Sequence, residues 1–189
     1  MLGVDMGLRG HVARRLVATL AVGLLAVGCS AAPQAPAVTP TAVATPPETQ
    51  LERQTRLDFE AAEKSYRAFV AEYDRLSRAG GATTATSAME RYGAGPYLDT
   101  MVDFLSQTKA RKVRSRGQFQ IGYVRPGLHT PTELTLNVCE DGTGISNVDS
   151  KGKVVSKGLA GKLTLQMRLI DNRWKVWDGS DEDVASCDA

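Results

Sequence analysis

The chain has 189 residues, with 23 basic and 21 acidic side chains, so its formal net charge is +2. Residues 1–28 contain three of the arginines and one aspartate, and we expect this segment to be removed, which leaves 20 basic and 20 acidic residues. A net charge of zero excludes the broad electropositive field of a nucleic-acid-binding protein, so no nucleic-acid partner is expected. The remaining length is enough to bury the core of one domain without a metal ion or a dense disulfide framework.

The first 28 residues have the pattern of an export signal. A basic stretch over residues 9–15 precedes an apolar run over residues 16–27, and small residues follow before Cys29. The apolar run is about a dozen residues long, which is short of the roughly 20 residues that span a bilayer. The pattern therefore favours a cleaved signal peptide over a retained transmembrane helix.

The sequence Ala26-Val27-Gly28-Cys29 resembles the lipobox of bacterial lipoproteins. In that motif the cysteine sulfur takes a diacylglycerol and the signal peptidase cuts just before the cysteine. Leucine is usual at the position of Ala26. The resemblance implies that Cys29 is the lipid-attachment site and that at least two acyl chains hold the protein at the extracytoplasmic face of the cell membrane.

Residues 29–48 are predicted to be a tether. They consist almost entirely of Ala, Pro, Thr and Val, and no charged residue occurs before Glu48. Proline-rich composition favours an extended, solvated chain. The tether would separate the membrane from a single domain, which we place at residues 49–189.

Two helical regions begin this domain. Thr49 and Glu52 have the spacing of a capping box, and Gly80-Gly81 ends the first helix. Its apolar residues recur at alternating steps of three and four, as on one helical face: Phe59, Ala62, Tyr66, Phe69, Tyr73 and Leu76. A second region, residues 87–110, is interrupted at residues 93–96, and its apolar side is formed by Tyr97, Met101, Phe104 and Leu105.

Beyond Lys112 the hydrophobic period changes from 3.6 to 2, which indicates strands. Residues 118–123, 134–139 and 163–169 alternate between apolar and polar side chains. Residues 149–152 are typical of a turn, and Asp171-Asn172 is typical of a two-residue hairpin turn. Helices followed by a strongly bent, mainly antiparallel sheet predict an α+β domain, with the long helix across the apolar face of the sheet.

This order of elements, together with short signatures, resembles that of actinobacterial lipoproteins with the nuclear-transport-factor-2-like (cystatin-like) fold. The signatures are Val138-Cys139, the turn at residues 149–152, Arg173-Trp174-Lys175-Val176 and a closing Cys187. The resemblance implies a cone of helices and curved sheet whose mouth can bind a small hydrophobic ligand or, in some members, house catalysis. It also implies a sheet face that often dimerises, and the oligomeric state stays open.

Cys139 and Cys187 remain once Cys29 is lipidated. The protein is expected in an oxidising compartment and contains no CxxC redox motif. We therefore predict that these two cysteines form a structural disulfide rather than a site of thiol chemistry.

The chain offers few candidates for catalysis. His129, the one histidine left after cleavage, lies between prolines in residues 126–131 and is interpreted as a surface loop residue rather than a catalytic base. The inner faces of the predicted strands supply no buried His–Asp or Tyr–Asp pair. No zinc or calcium spacing is present, so neither a metal nor a cofactor is predicted.

Six residues are candidates for contact with a ligand or partner. Phe119 and Tyr123 are predicted to point into the cone. Lys112, Arg114 and Arg116 would share one face of an extended segment, either as a charged edge strand or as a contact to anionic headgroups or acidic wall polymer. Trp174 would pack inward with Val176, leaving Trp177 at a rim, with or without a ligand or partner to contact.

Three functional hypotheses remain open. The first is a non-enzymatic lipoprotein of the cell envelope that binds a partner protein or a small apolar or wall-derived ligand. The second is a hydrolase or isomerase that uses polar residues of the cone, which would require a carboxylate of raised pKa inside a deep pocket. The third is a phage- or prophage-encoded surface lipoprotein that blocks infection through protein contact.

Overall fold

The computed structural model describes residues 46–188, which form three helices followed by seven strands. The predicted signal peptide, Cys29 and residues 30–45 of the predicted tether lie outside the described residues. None of the described helices is both long enough and apolar enough to cross a membrane. Pro46–Ala189 forms a compact unit of its own, and the hydrophobic core lies within it.

The helices are α1 (Gln50–Ala79), α2 (Ser87–Tyr92) and α3 (Gly95–Ala110). The strands are β1 (Arg114–Gly117), β2 (Gln120–His129), β3 (Glu133–Asp141), β4 (Ile145–Val148), β5 (Val154–Lys157), β6 (Ala160–Ile170) and β7 (Arg173–Val184).

Both predicted ends of α1 are confirmed. The Thr49 hydroxyl accepts a hydrogen bond from the backbone N–H of Glu52 at 3.2 Å, and the Glu52 carboxylate accepts one from the backbone N–H of Thr49 at 2.8 Å. At the other end Gly80 has a φ of 96°, and the N–H of Gly81 donates to the carbonyl of Leu76. These bonds satisfy backbone groups that a helix end leaves unpaired.

The apolar stripe of α1 packs into the core. Ala62, Tyr66 and Phe69 are almost completely buried, and Phe59 and Tyr73 pack against the core while half-buried. Each large buried side chain contributes about 1.5–3 kcal/mol relative to an exposed one. The stripe predicted from the spacing is therefore the surface that holds α1 on the sheet.

The predicted break in the second helical region separates α2 from α3. A Cβ on Gly93 would lie 2.4 Å from Cε2 of Phe69, so the chain passes too close to α1 for any larger residue. The N–H of Ala94 donates to the carbonyl of Val176 at 2.9 Å, which ties the break to β7. Pro96 stands in the first turn of α3, where a helix needs no N–H.

Phe104 lies on the predicted apolar side of α3 but faces an open space rather than the packed core. Tyr97, Met101 and Leu105 belong to the core or pack against it, whereas Phe104 is 49% exposed. Tyr97, Met101 and Phe104 are four and three residues apart, so they share one helical face, and all three line the same cavity.

The strands form two antiparallel sheets. The larger has the order β2-β3-β6-β7, and the smaller has the order β1-β4-β5. Each strand of the smaller sheet is continuous along the chain with a strand of the larger one, since β1 leads into β2, β3 into β4 and β5 into β6. The bend predicted for one sheet therefore lies at these three passages. The predicted α+β class, with helices packed on antiparallel strands, is confirmed.

Glycines occupy the passages between the two sheets. A Cβ on Gly117 would lie 1.9 Å from the carbonyl oxygen of Gly144, and a Cβ on Gly158 would lie 2.2 Å from that of Gly142. Gly117 also has a φ of 103°, which disfavours other residues. The three strand pairs can bend side by side because their backbones approach without side chains between them.

Strand alternation in β3 of the larger sheet follows the prediction. Leu134, Leu136 and Val138 of β3 are almost fully buried on the inner face of the larger sheet. The β6–β7 hairpin turns at Asp171 and Asn172, whose φ values are 51° and 56°. A type I′ hairpin turn requires positive φ values at both central residues, and Asp and Asn tolerate them.

The predicted disulfide joins Cys139 to Cys187. Cys139 is on the outer face of β3, because its neighbour Val138 faces the core. Cys187 follows β7, which lies at the far edge of the sheet, so the C-terminal segment crosses the outer face to reach β3. Gly122 of β2 leaves it room, since a Cβ there would lie 2.7 Å from Cβ of Cys187.

Replacing Gly158 with alanine is expected to destabilise the fold strongly, because the new Cβ would meet the carbonyl oxygen of Gly142 at 2.2 Å. We expect the free energy of unfolding to fall by about 2–3 kcal/mol in urea denaturation of residues 46–189. Gly161→Ala is the matched control, because its Cβ would meet no atom closer than 3.6 Å. It should change stability by less than about 1 kcal/mol. Equal effects of the two substitutions would contradict a steric requirement at the bend.

Candidate functional site

An open cavity of about 1020 Å³ lies between the helices and the inner faces of both sheets. Its walls come from α1 and α3, from β3, β6 and β7 of the larger sheet, and from β4 and β5 of the smaller one. Small-molecule sites are usually concave spaces of about 300–1,000 Å³ with apolar walls and a few polar groups. The bend in the sheet thus produces a space of the size that ligands occupy, and this cavity is the candidate site.

Glu140 and Tyr66 form a hydrogen-bonded pair beside the cavity. The Tyr66 hydroxyl donates to Oε1 of Glu140, and the Glu140 side chain lines the cavity. Burial raises the pKa of the Glu140 carboxyl and the charge of Asp181 raises it further, while the hydrogen bond from Tyr66 lowers it. Burial and the neighbouring Glu140 also raise the pKa of the Tyr66 phenol. A carboxyl of raised pKa beside a hydroxyl donor holds its proton to higher pH than an exposed carboxyl does, which is a property that acid–base groups of functional sites share.

His–Asp and Tyr–Asp pairs were the ones considered on the inner faces of the strands, so the sequence-based prediction missed this Tyr–Glu pair, whose tyrosine comes from α1. Residues two apart on a strand share a face, so the series Leu134, Leu136, Val138 continues inward to Glu140. Tyr66 comes from the apolar stripe of α1. The alternation along β3 indicated from the sequence that Glu140 faces inward. Its partner Tyr66 could be found only from the packing of α1 on β3.

Further carboxylates reach the cavity from β7. Asp178, Asp181 and Asp183 all line it. Asp181 is the pairing partner of Leu163, and Asp183 is that of Gly161, both of which line the cavity too. Carboxylates from β3 and β7 therefore line the wall of the cavity that the larger sheet forms.

Tyr97 of α3 faces this wall from the opposite layer. Its side chain is only 9% exposed and lines the cavity. Burial raises the pKa of its phenol, and the charges of Glu140 and Asp181 act in the same direction. The Tyr97 hydroxyl therefore stays protonated and can donate a hydrogen bond.

Phe119 and Tyr123, both predicted to point into the cone, have different positions. Phe119 lies between β1 and β2 and lines the cavity. Tyr123 faces outward, because the pairing of β2 with β3 shifts register between Ile121 and Tyr123 and thereby reverses the alternation. The guanidinium of Arg125 lies 4.3 Å from the centre of the Tyr123 ring. The predicted inward orientation of Tyr123 is wrong.

The predicted basic face lies outside the cavity lining. Arg114 and Arg116 are exposed on β1, which is an edge strand of the smaller sheet. Lys112 has a left-handed φ of 53°, so the extended segment begins two residues later than predicted. The residues that alternate with them line the cavity instead: Arg111 before Lys112, and Val113 and Ser115 between the three basic residues. An edge strand protected by charge agrees with this placement, and contact with anionic headgroups or wall polymer stays a prediction.

Trp177 does not stand at the mouth of the cavity. Trp174 and Val176 are buried as predicted. Trp177 is half-buried against its own chain, with the guanidinium of Arg168 4.3 Å from its ring centre and the backbone of Gly95 against its ring. Trp177 is therefore partly buried and does not line the cavity, and its contact with a ligand or partner stays a prediction.

His129 is not a surface loop residue, as the sequence suggested. It ends β2, and its Nε2 lies 2.9 Å from Oδ2 of Asp58 in α1. Its ring packs beside that of Phe59, with 5.5 Å between ring centres. Strand β2 extends through Pro126, since an edge strand tolerates a residue without an N–H, and this brings His129 against α1. His129 does not line the cavity.

No protein-family model matches the chain, and no curated protein matches it. Solved structures with a similar fold include the intermembrane-space region of the chloroplast protein ARC6, with 12% identity, a TM-score of 0.44, and coverage of 65% of this chain and 96% of that one. An NTF2-like protein from Cytophaga hutchinsonii has 12% identity and a TM-score of 0.43, covering 70% and 98%. An uncharacterised protein with a cystatin-like fold from Caulobacter vibrioides has 12% identity and a TM-score of 0.37, covering 69% and 90%.

Glu140→Gln is expected to stabilise the protein at neutral and alkaline pH but not at pH 4. The folded pKa of Glu140 is raised, so its protonated form is favoured by folding, and stability falls as pH rises from the unfolded value through the folded one. Glutamine keeps an acceptor for Tyr66 without the buried charge. The free energy of unfolding at high pH should therefore rise by about 1.4 kcal/mol for each unit by which folding raises the pKa of Glu140. Urea denaturation at several pH values measures this.

Glu182→Gln is the control for that measurement, since Glu182 is exposed on β7 and does not line the cavity. It should leave the pH dependence of unfolding almost unchanged. A Glu140→Gln profile parallel to that of the unaltered protein would contradict the raised pKa.

Proposed function

We propose that this protein is a lipid-anchored, extracytoplasmic binding protein whose cavity takes a small, partly apolar ligand. The observation that carries this proposal is the open cavity of about 1020 Å³ between the helices and the bent sheet. A concave space of this size, open to solvent and lined by apolar side chains with a few polar groups, is typical of small-molecule sites.

The three large side chains expected on the inside of the cone do not fill the cavity. Leu136 belongs to the packed core, Tyr123 faces outward, and Phe119 stands in the wall. Large apolar residues are instead exposed along the lining, namely Phe104 (49% exposed), Val155 (52%) and Leu159 (64%). Exposed apolar residues gathered at one concave surface favour contact with an apolar group.

The proposed location rests on three features of the chain. Residues 1–28 have the pattern of an export signal, and Cys29 stands where bacterial lipoproteins carry their lipid. The disulfide between Cys139 and Cys187 is of a kind that persists in oxidising compartments. The segment between Cys29 and α1, rich in Ala and Pro, would let the cavity reach beyond the membrane surface.

A second candidate function is acid–base catalysis on the bound molecule. The Tyr66–Glu140 pair favours it, because a buried carboxyl of raised pKa with a hydroxyl donor is the arrangement that proton transfer requires. Glu140 would accept a proton in its ionised form, and Tyr66 would hold the carboxylate in place. Binding is placed first because the cavity alone supports it, whereas catalysis further requires a substrate positioned at Glu140.

Native mass spectrometry of residues 46–189, purified gently from a host of the same kind, should show a small molecule bound to the unaltered domain. Thr100→Trp should abolish the extra mass, because Thr100 is exposed and lines the cavity. Asp99→Trp is the matched control: the neighbouring residue is also exposed but does not line the cavity, so the extra mass should persist. An extra mass present only in Glu140→Gln would favour turnover over binding. Absence of any extra mass in both the unaltered domain and the Glu140→Gln variant would count against a small ligand.

Replacing Cys29 with serine is expected to release the protein from the membrane. The unaltered protein should be found in the membrane fraction and incorporate labelled palmitate, since two or more acyl chains anchor stably. The serine variant should be soluble outside the cell or retained with an uncleaved signal, and it should carry no label. Equal membrane binding of both proteins would contradict lipid anchoring at Cys29.

A further inference from the structure

The charged side chains that line the cavity are strongly biased toward one sign. Among the described residues, one basic side chain, Arg111, lines it against six carboxylates. These are Asp74, Glu140, Asp149, Asp178, Asp181 and Asp183. The chain after residue 28 has no net charge, so this bias reflects how the fold distributes charge.

Some of these carboxylates already have structural partners. Asp74 forms an ion pair with Arg78 at 2.7 Å, and the carboxylate of Asp149 accepts hydrogen bonds from the backbone N–H groups of Lys151 and Lys153. They therefore stabilise α1 and the β4–β5 turn and are not counted as ligand contacts.

The carboxylates on β3 and β7 have no such cation. None of the ion pairs between described residues includes Glu140, Asp178, Asp181 or Asp183. Asp181 is close enough to Glu140 for its charge to oppose ionisation of the Glu140 carboxyl. A concave wall lined by one sign of charge concentrates its field in the space before it, and a cation placed there would relieve the repulsion.

Tyr97 is a second and independent feature, on α3 and facing the carboxylates across the cavity. Its side chain is nine-tenths buried and lines the cavity, and its hydroxyl has no hydrogen-bond partner among residues 46–188. The hydroxyl oxygen is not fully enclosed, so it is open to the cavity and can donate a hydrogen bond to a molecule bound there. Its aromatic ring also offers a face that attracts an organic cation.

The apolar side of the cavity comes from other elements. Phe104 belongs to α3, Val155 to β5, and Leu159 to the passage from β5 into β6. These exposed apolar residues thus come from α3, β5 and the passage after β5, whereas the unpaired carboxylates come from the larger sheet, where Leu163 and Leu165 of β6 also line the cavity. A molecule that fills the space would touch both kinds of wall.

We propose that the ligand is an organic cation with an apolar chain, such as a long-chain amine, whose ammonium group meets the β3–β7 carboxylates. This inference rests on the proposed function of the cavity and names the class of molecule that it takes. Anionic amphiphiles of the same length are disfavoured, because their charge would face Glu140 and the β7 aspartates.

Three octyl compounds of equal chain length test the proposal: octylammonium, octanol and octanoate. Their dissociation constants for residues 46–189 are measured by isothermal titration calorimetry at neutral pH. Octylammonium should bind at least about tenfold more tightly than octanol, and octanoate should bind more weakly than both. Added salt should weaken the binding of octylammonium and leave that of octanol almost unchanged.

A double variant locates the ammonium group. Asp181→Asn with Asp183→Asn should weaken octylammonium binding about three- to tenfold and leave octanol binding unchanged. Glu182→Gln with Asp188→Asn is the matched control, because it also removes two exposed charges but neither residue lines the cavity. It should change neither affinity.

The outcomes separate this inference from the function on which it rests. Equal or tighter binding of octanol or octanoate, lost in Thr100→Trp, would overturn the preference for a cation and leave the cavity as a ligand site. Absence of binding by all three compounds would overturn the inference and contradict the apolar ligand site as well. An equal loss in the β7 double variant and its control would overturn the assignment of the carboxylate wall.

Discussion

The close approach of backbones at the bend is the constraint on which the rest of the structure depends. Gly117 faces Gly144 and Gly158 faces Gly142 at distances that exclude any side chain. Three strand pairs can therefore change direction at the same level, and their inner faces become concave. Without the bend that these glycines allow, the inner faces would not become concave and the cavity would not form. The glycines act through geometry alone, since none of them needs to contact a ligand for the site to exist.

The concave sheet places a carboxylate where the core would otherwise continue. Glu140 follows Leu134, Leu136 and Val138 on the same face, but it lies at the end of β3 next to the bend, where the packed core gives way to the cavity. Tyr66 supplies a hydrogen bond there, which reduces the cost of burying the charge without removing it. A group kept at such a cost to stability is typical of a functional site.

Features set by local sequence were predictable, and features set by packing were not. The capping box at Thr49 and the turn at Asp171-Asn172 involve neighbouring residues, so their chemistry is readable from the chain. The reversal at Tyr123 arises from one extra residue in β2, and apolar alternation does not reveal such a bulge. The contact of His129 with Asp58 depends on where α1 crosses β2, which no local pattern specifies.

The distribution of charge explains why the amino-acid composition did not indicate the negative charge of the cavity. After residue 28 the basic and acidic residues are equal in number, so the total charge indicates no particular ligand. The fold separates them: Arg114 and Arg116 stand outside on the edge strand β1, while Asp181 and Asp183 line the cavity from β7. Alternation along each strand sends neighbouring residues to opposite faces, so the two signs are sorted by the same periodicity that forms the core. A protein of zero net charge can in this way present a negative interior to a ligand and a positive edge to its surroundings.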